Sequence, residues 1–313
     1  MNTYRPALHV AFNITASYAS LCAITLHSLC SSNTHRTVIA HIVATGMTPE
    51  AKTILTHVAI KWKATIYYYD ASQVTADLAQ HYHNKRYHIS VCYRIFLADL
   101  LPETLDRVLY LDCDILVRGN LSPLYDRPLS ADTAVAAVRD EPIYFAGKHP
   151  RRVQHELREA YFNSGVLLIN LAYWRKHNVS ATCVTHYRQA PADYPFPDQD
   201  LLNEALQGHV DHISPHWNCL SYFFTHQFYE KPGIGTIDYD LLHTAPIIHF
   251  INRNKPWTAR CTHPYREAYL DQCCQAVGKA WIAQQRTIGY YIFRPIYRLL
   301  IILGFKKSYI KLT

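Results

Sequence analysis

Several features are missing from this 313-residue chain, and each absence removes a class of protein. No two of the nine cysteines have the C-x-x-C spacing of a zinc ribbon or a thiol oxidoreductase, and most sit among hydrophobic residues. The 19 histidines are scattered, and Tyr82 separates His81 from His83, which is not the spacing of a metalloprotease helix. There is no signal-like N-terminus, so thiols in a reduced, cytoplasmic compartment are expected. No apolar run reaches the about 20 residues that a spanning helix needs. No internal repeat and no low-complexity linker divides the body. Half the residues are hydrophobic, which excludes a disordered chain and supplies a large core.

Acid is missing from one end. The last carboxylate side chain is Asp271, and beyond it stand Lys279, Arg286, Arg294, Arg298, Lys306, Lys307 and Lys311. Removing those seven from the 31 basic residues leaves 24, equal to the 24 acids, so the body is neutral and the tail carries the net charge of +7. The tail also holds Tyr290-Tyr-Ile-Phe293 and Leu299-Leu-Ile-Ile-Leu303, interrupted by Arg294, Pro295 and Arg298. Basic residues mixed with aromatic and aliphatic ones suit a segment lying on an anionic membrane surface. Nucleic acid, the other partner of basic tails, does not call for so many Leu and Ile. A C-terminal helix packed on the body with its cations solvated is the plainer alternative.

What is present is concentrated in Val108-Leu-Tyr-Leu-Asp112-Cys-Asp114-Ile-Leu-Val117, where two carboxylates interrupt an apolar run. In an extended chain residues two apart share a face, so Asp112 and Asp114 are expected side by side. Adjacent acids repel and lose hydration on burial, and a divalent cation relieves both penalties. Hard oxygen ligands suit Mg2+ or Mn2+, ions that commonly complete their shell with substrate phosphates. Asp-x-Asp also occurs at 198/200 and 238/240, but only the first is flanked by aliphatic residues on both sides.

Strand-like and helix-like runs alternate: strands over 8–12, 37–43 and 64–69, helices over about 18–28, from 48 onward with Thr48 as N-cap and Pro49 in the first position, and over about 91–101. Further strands follow at 133–138 and 165–170. The alternation predicts parallel βαβ units in one α/β domain of residues 1–265, with 266–313 as a basic appendage. Ligands of open α/β sheets collect at the carboxyl ends of strands, where Asp112, Asp114 and Asp140 stand.

His249 closes the run Pro246-Ile-Ile248 and could be a third metal ligand or a satisfied core histidine. Lys255, before Pro256-Trp257, could neutralise a departing phosphate or be an ordinary surface cation. Asn163-Ser-Gly165 permits close approach of a ligand. Asp198-Gln199-Asp200 suits sugar hydroxyls, although Asp198 would serve equally as a helix N-cap. Arg94 could reach a phosphate or pair with an Asp.

Together, Tyr93-Arg94, the Asp112–Asp114 strand, Asp140, Phe162-Asn-Ser-Gly-Val-Leu-Leu-Ile-Asn-Leu171, Asp198-Gln-Asp-Leu-Leu-Asn203 and His249…Lys255-Pro-Trp257 resemble the retaining glycosyltransferases of family 8, near the bacterial lipopolysaccharide galactosyl- and glucosyltransferases. The resemblance covers most of residues 8–262. It implies a GT-A nucleotide-sugar fold, with UDP-galactose or UDP-glucose as donor and a lipopolysaccharide or lipooligosaccharide as acceptor. It implies Mn2+, with Mg2+ as the alternative, held by Asp112, Asp114 and His249. Thr15, Tyr18, Arg94, Asp112, Cys113, Asp140, Asn163, Asp198 and Lys255 would line the UDP-sugar site, and Asp198, Gln199 and Asp200 would serve catalysis. The tail would place the enzyme peripherally on the bacterial inner membrane. Two positions depart from the family pattern: Thr15 stands where relatives carry the acid that reads uracil, and Asn252 where they carry Gly.

Two other classes compete. A haloacid-dehalogenase phosphatase would use Asp112 as nucleophile, but Leu116 stands where that motif has Thr or Val. A membrane-bound scaffold with a vestigial metal site is the non-enzymatic reading.

Overall fold

Four apolar segments form neighbouring parallel strands: Leu8–Thr15 (β1), Val38–Thr45 (β2), Thr65–Asp70 (β3) and Arg107–Leu111 (β4). The computed structural model in which they are seen describes residues 7–141, 160–190, 194–231, 234–251, 253–306 and 308–312. Helices Ala19–Ser32 and Pro49–Trp62 make the first two crossovers. The second starts as its sequence dictates: the Thr48 hydroxyl accepts from the Ala51 N–H at 3.2 Å, and Pro49 opens the first turn.

Beyond β4 come Ile115–Val117 (β5), Val135–Arg139 (β6), Phe162–Asn170 (β7), Val210–His212 (β8), Cys219–Leu220 (β9) and Ile247–His249 (β10). The main sheet has the order β3-β2-β1-β4-β7-β6-β8, and a small second sheet has the order β5-β10-β9. β7 runs antiparallel to both β4 and β6, so the sheet is mostly parallel. Every residue of Phe162–Ile169 is buried, and a strand covered on both faces reads the same whichever way it runs.

β4 shows how the layers form. Leu109 and Leu111 pack with Leu26 and Leu55 of the crossover helices, while Val108 and Tyr110 pack with Leu167, Trp174 and Leu201 on the opposite face. A third cluster joins Leu116 and Ile248 of the small sheet to Tyr269, Leu270 and Cys273 of helix Arg266–Ala276. The segment expected as one helix over about 91–101 is a 3-10 stretch, Ile89–Phe96, followed by one α turn, Leu97–Leu100. β-branched Ile89, Val91 and Ile95 favour α-helix weakly, and burial of Cys92 to Phe96 holds the tighter winding.

The tail contains helix Ile288–Ile302, with Pro295 inside it. Ile288, Ile292, Ile296 and Leu299 are exposed along it. Among the described residues, no helix is long and apolar enough to cross a membrane.

Candidate active site

The two acids of the central motif do not share a strand. β4 ends at Leu111, β5 begins at Ile115, and Asp112 to Asp114 is the turn that carries the chain from the large sheet to the small one. The expectation of strand alternation is corrected: the turn brings the carboxylates together. β10 pairs with β5 so that His249 lies opposite Ile115, which delivers the imidazole to the same point. One ligand atom from each of Asp112, Asp114 and His249 lies within 4.8 Å of the others. His249 Nε2 is 3.1 Å from Asp114 Oδ1 and 3.7 Å from Asp112 Oδ2.

Asp112 Oδ1 is already engaged. It accepts from Arg94 Nη2 at 2.8 Å and from the Tyr110 hydroxyl at 2.7 Å, which leaves Oδ2 on the side of His249. Lys255 Nζ donates to Asp114 Oδ2 at 2.5 Å and also to the Phe250 carbonyl. Burial alone would raise the Asp114 carboxyl, but Lys255 and His249 override it and hold the group well below the usual carboxylate range.

The ring orientation of His249 follows from groups that can play only one hydrogen-bonding role. Asn163 Nδ2 and Gln199 Nε2 donate to Asp140 Oδ2, each at 3.0 Å. The backbone N–H groups of Ser164 and Gly165 only donate, so Gln199 Oε1 and Asn163 Oδ1 accept from them, each at 3.0 Å. Asn218 Nδ2 then donates to Asn163 Oδ1 at 2.9 Å, leaving Asn218 Oδ1 to accept from His249 Nδ1 at 2.9 Å. The Nδ1 proton is thereby assigned, and Nε2 faces the two carboxylates. A cation must stand between Nε2 and those oxygens, either a proton or a metal ion. Two carboxylate oxygens and one imidazole nitrogen fit a divalent ion, and the fixed far side of the ring is the usual outer support of a metal-bound histidine.

Gly165 completes the cluster from β7. A Cβ built there would lie 2.2 Å from His249 Cε1 and 2.7 Å from Asp112 Oδ2. Only glycine lets the strand pass this close to both ligands.

The comparisons with known proteins agree with this geometry. The sequence model of Glycosyl transferase family 8 matches residues 9–261. The chain belongs to glycosyltransferase family 8. It is 30% identical over 250 residues to General stress protein A of Bacillus subtilis (strain 168), covering 77% of this chain and 84% of that one. It is 27% identical over 257 residues to a lipopolysaccharide 1,2-glucosyltransferase of Escherichia coli, covering 81% and 74%. Among solved structures it is similar to galactosyltransferase LgtC in complex with donor and acceptor sugar analogs, with a TM-score of 0.74, 23% identity, and coverage of 88% of this chain and 99% of that one. The fold is accordingly GT-A, an α/β architecture with a mostly parallel seven-stranded sheet.

In this family 8 chain the second Asp-x-Asp lies in helix Pro197–Ala205, and its members diverge. Asp198 is not the N-cap, which is Phe196; its Oδ2 accepts from the Ser164 hydroxyl at 2.8 Å and lies 3.2 Å from Arg94 Nη1. Burial raises its carboxyl despite Arg94, and the nearby Asp112 adds to the rise. Arg94 thus clamps Asp112 and Asp198, with its guanidinium 4.4 Å from the Tyr110 ring centroid. Gln199 joins the Asp140 network. Asp200 does not: it is 0% exposed, accepting from the Tyr161 hydroxyl and, at 2.7 Å, from the Phe196 N–H. Burial pushes its carboxyl up to about 7, against the effect of those two donors.

Of the remaining expected residues, Tyr18 is 54% exposed beside the motif: partial burial raises its hydroxyl first, and Asp114, Cys113 and Asp112 raise it further. Thr15, at the end of β1, bonds the Ser17 hydroxyl at 2.9 Å. The Cys113 side chain is buried in the core, while its carbonyl accepts from Thr25 Oγ1 at 2.9 Å. Asn252 lies outside the described residues. Sequence reasoning missed Tyr110, Ser164 and Asn218 as members of the network. Tyr110 reads as a strand aromatic, and Asn218, at the end of the short 3-10 turn Pro215–Asn218, carries no periodic signal.

Proposed function

We propose that the chain is a retaining hexosyltransferase that moves galactose or glucose from a UDP-sugar to a hydroxyl of a lipopolysaccharide- or lipooligosaccharide-type acceptor, with Mn2+ or Mg2+ as cofactor. One observation carries the reading: the Asp112–Asp114–His249 cluster is joined through Asn218 and Arg94 to a second set of buried polar groups, Asp140, Asn163, Asp198 and Gln199. A diphosphate and a hexose need two such adjoining sets. The names of the curated relatives support an acceptor of this class.

Asp112, Asp114 and His249 would hold the ion, which supplies Lewis-acid stabilisation of charge on the departing diphosphate. Lys255, bonded to Asp114, would add a second positive charge at the same oxygens. Arg94 keeps Asp112 and Asp198 in register. Asp140, Asn163 and Gln199 would bond sugar hydroxyls. Asp200 is enclosed, and Gln199 is a weak nucleophile, so we favour departure and attack on the same face of the sugar over a glycosyl-enzyme intermediate. The tail would hold the enzyme on an anionic cytoplasmic membrane surface. A dehalogenase-type phosphatase is not favoured: Leu116 stands at its required Thr or Val position and is buried in the core.

The test is UDP release across a panel of UDP-hexoses, with and without Mn2+ and a lipooligosaccharide acceptor. Metal-dependent release from UDP-galactose or UDP-glucose, stimulated by acceptor, is expected. Phosphate release without UDP-sugar turnover would overturn the assignment.

A further inference from the structure

Where the tail meets the body there is a cavity of about 370 Å3 with an unbalanced wall. Arg266 enters it from the start of helix Arg266–Ala276, Arg294 and Arg298 from successive turns of helix Ile288–Ile302, and Lys311 from the last residues. Among the described residues Glu267 is the one carboxylate of the lining. It pairs with Arg266 and lies 4.0 Å from Arg294 Nη2, so one anion is shared by two guanidinium groups. Their other bonds are neutral: Arg266 Nη2 donates to the Tyr290 hydroxyl at 2.7 Å, and Arg294 Nη1 to the carbonyls of Ala259 and Cys261 at 3.3 and 3.1 Å. Arg266 Nε and His263 Nε2 are buried with no partner. Among the described residues neither Arg298 nor Lys311 makes an ion pair, and Glu267 pairs with Arg266 and Arg294 instead. Burial and then the neighbouring Arg266 and Arg298 lower the proton affinity of Arg294, as expected where like charges are crowded.

Cations crowded around a cavity repel one another, and a bound anion would relieve that repulsion. Guanidinium forks match phosphate oxygens bidentately, and the Thr262 and Ser308 hydroxyls add donors. We propose that this cavity is a phosphate-binding site whose occupant is the phosphate of a lipid headgroup. The apolar rim selects the lipid source: Ile301 and Ile302 line the same cavity, and Ile288, Ile292, Ile296 and Leu299 are exposed along the same helix. A soluble phosphate compound would gain nothing from that apolar flank, whereas acyl chains cover it. The lipid occupant rests on the membrane reading of the tail; the phosphate site itself does not. The inference is narrower than diffuse attraction of a basic tail, because it demands discrimination among anions of equal charge.

The test uses the full chain and has two arms. Inorganic phosphate binding is measured by calorimetry at fixed ionic strength against chloride. Cosedimentation is measured with phosphatidylcholine vesicles made anionic by equal surface charge of phosphatidylglycerol or of oleate. Expected results are saturable phosphate binding and several-fold preference for the phosphatidylglycerol vesicles. Arg298→Gln combined with Lys311→Gln, both exposed, should weaken each by about tenfold while leaving the melting temperature and donor hydrolysis unchanged. Equal binding to both vesicles, unaffected by the variant and without phosphate binding, would overturn the site and leave the membrane reading standing. Phosphate binding without vesicle binding would uphold the site, assign it to a soluble phosphate ester, and overturn the lipid occupant together with the membrane role. No binding in either arm would overturn both.

Discussion

The motif at Asp112 and the cavity at Arg294 are both electrically unbalanced, with opposite signs and in different surroundings. At the first, Asp112, Asp114 and Asp198 share two fixed cations, Arg94 and Lys255, inside a lattice of amides and hydroxyls. None of the unpartnered buried polar atoms among the described residues belongs to that lattice, whereas His263 Nε2 and Arg266 Nε lie at the tail junction. The difference teaches what each imbalance is for. A deficit of positive charge held by a rigid, satisfied network suits an ion that must be placed to within a fraction of an ångström for chemistry. A surplus carried on an exposed helix suits a partner that is only held.

Substitutions at the motif test the first half of that comparison most severely. Asp114→Ala or Asp112→Ala should lower metal-dependent turnover by about a thousandfold or more, the scale of removing a Lewis acid from the leaving group. Substantial residual turnover in either variant would dissolve the distinction between the two regions. Gly165→Ala should come next, because its methyl would overlap His249 and Asp112. Divalent-ion binding followed by thermal shift should be lost, with a fall in stability of about 1–3 kcal/mol typical of overpacking. A variant with unchanged metal response would mean that the strand has more room than the geometry gives it.

Asn218→Ala removes the support of the imbalance without touching a ligand. With Nδ1 unfixed, divalent affinity should fall by about ten- to a hundredfold while the fold persists. Asn218→Asp, which still accepts from Nδ1, should restore part of it; equal loss in both variants would reduce Asn218 to packing.

The smallest effect concerns Asp200, which is buried against the Tyr161 hydroxyl and the Phe196 N–H and not against a cation. Its folded-state value of about 7 lies above the unfolded aspartate value of about 3.9. The folded state therefore binds the proton more tightly, and the associated stability, full below the unfolded value, is lost as pH rises through about 7. Asp200→Asn should flatten the fall in melting temperature between about pH 4 and 7, since its amide oxygen still accepts from the Phe196 N–H while its amide nitrogen donates to the Tyr161 oxygen. An unchanged slope would place the titration elsewhere.

Much of this was legible in the chain because the motif residues are polar groups in apolar surroundings, a contrast that survives without coordinates. Asp112, Asp114, His249 and the strand ends around them belong to this kind. The direction of β7 was not legible, since burial on both faces erases the signal of pairing. Nor was the turn at Asp112 to Asp114: an extended and a turned backbone both bring residues two apart together. Asn218 was invisible for another reason. Its role depends on donors and acceptors contributed by Asn163 and His249, which only the folded sheets bring within reach. For Asp198 the chain left a sugar-binding role and a helix cap open together, and a tertiary partner, Arg94, removes the cap.

The most direct test of the central assignment is a calorimetric titration of UDP into the full chain with Mn2+ and again with a chelator. The account predicts saturable binding with Mn2+ that is lost with the chelator and absent from Asp114→Ala. UDP affinity that is the same with and without the ion, and unaffected by Asp114→Ala, would contradict it.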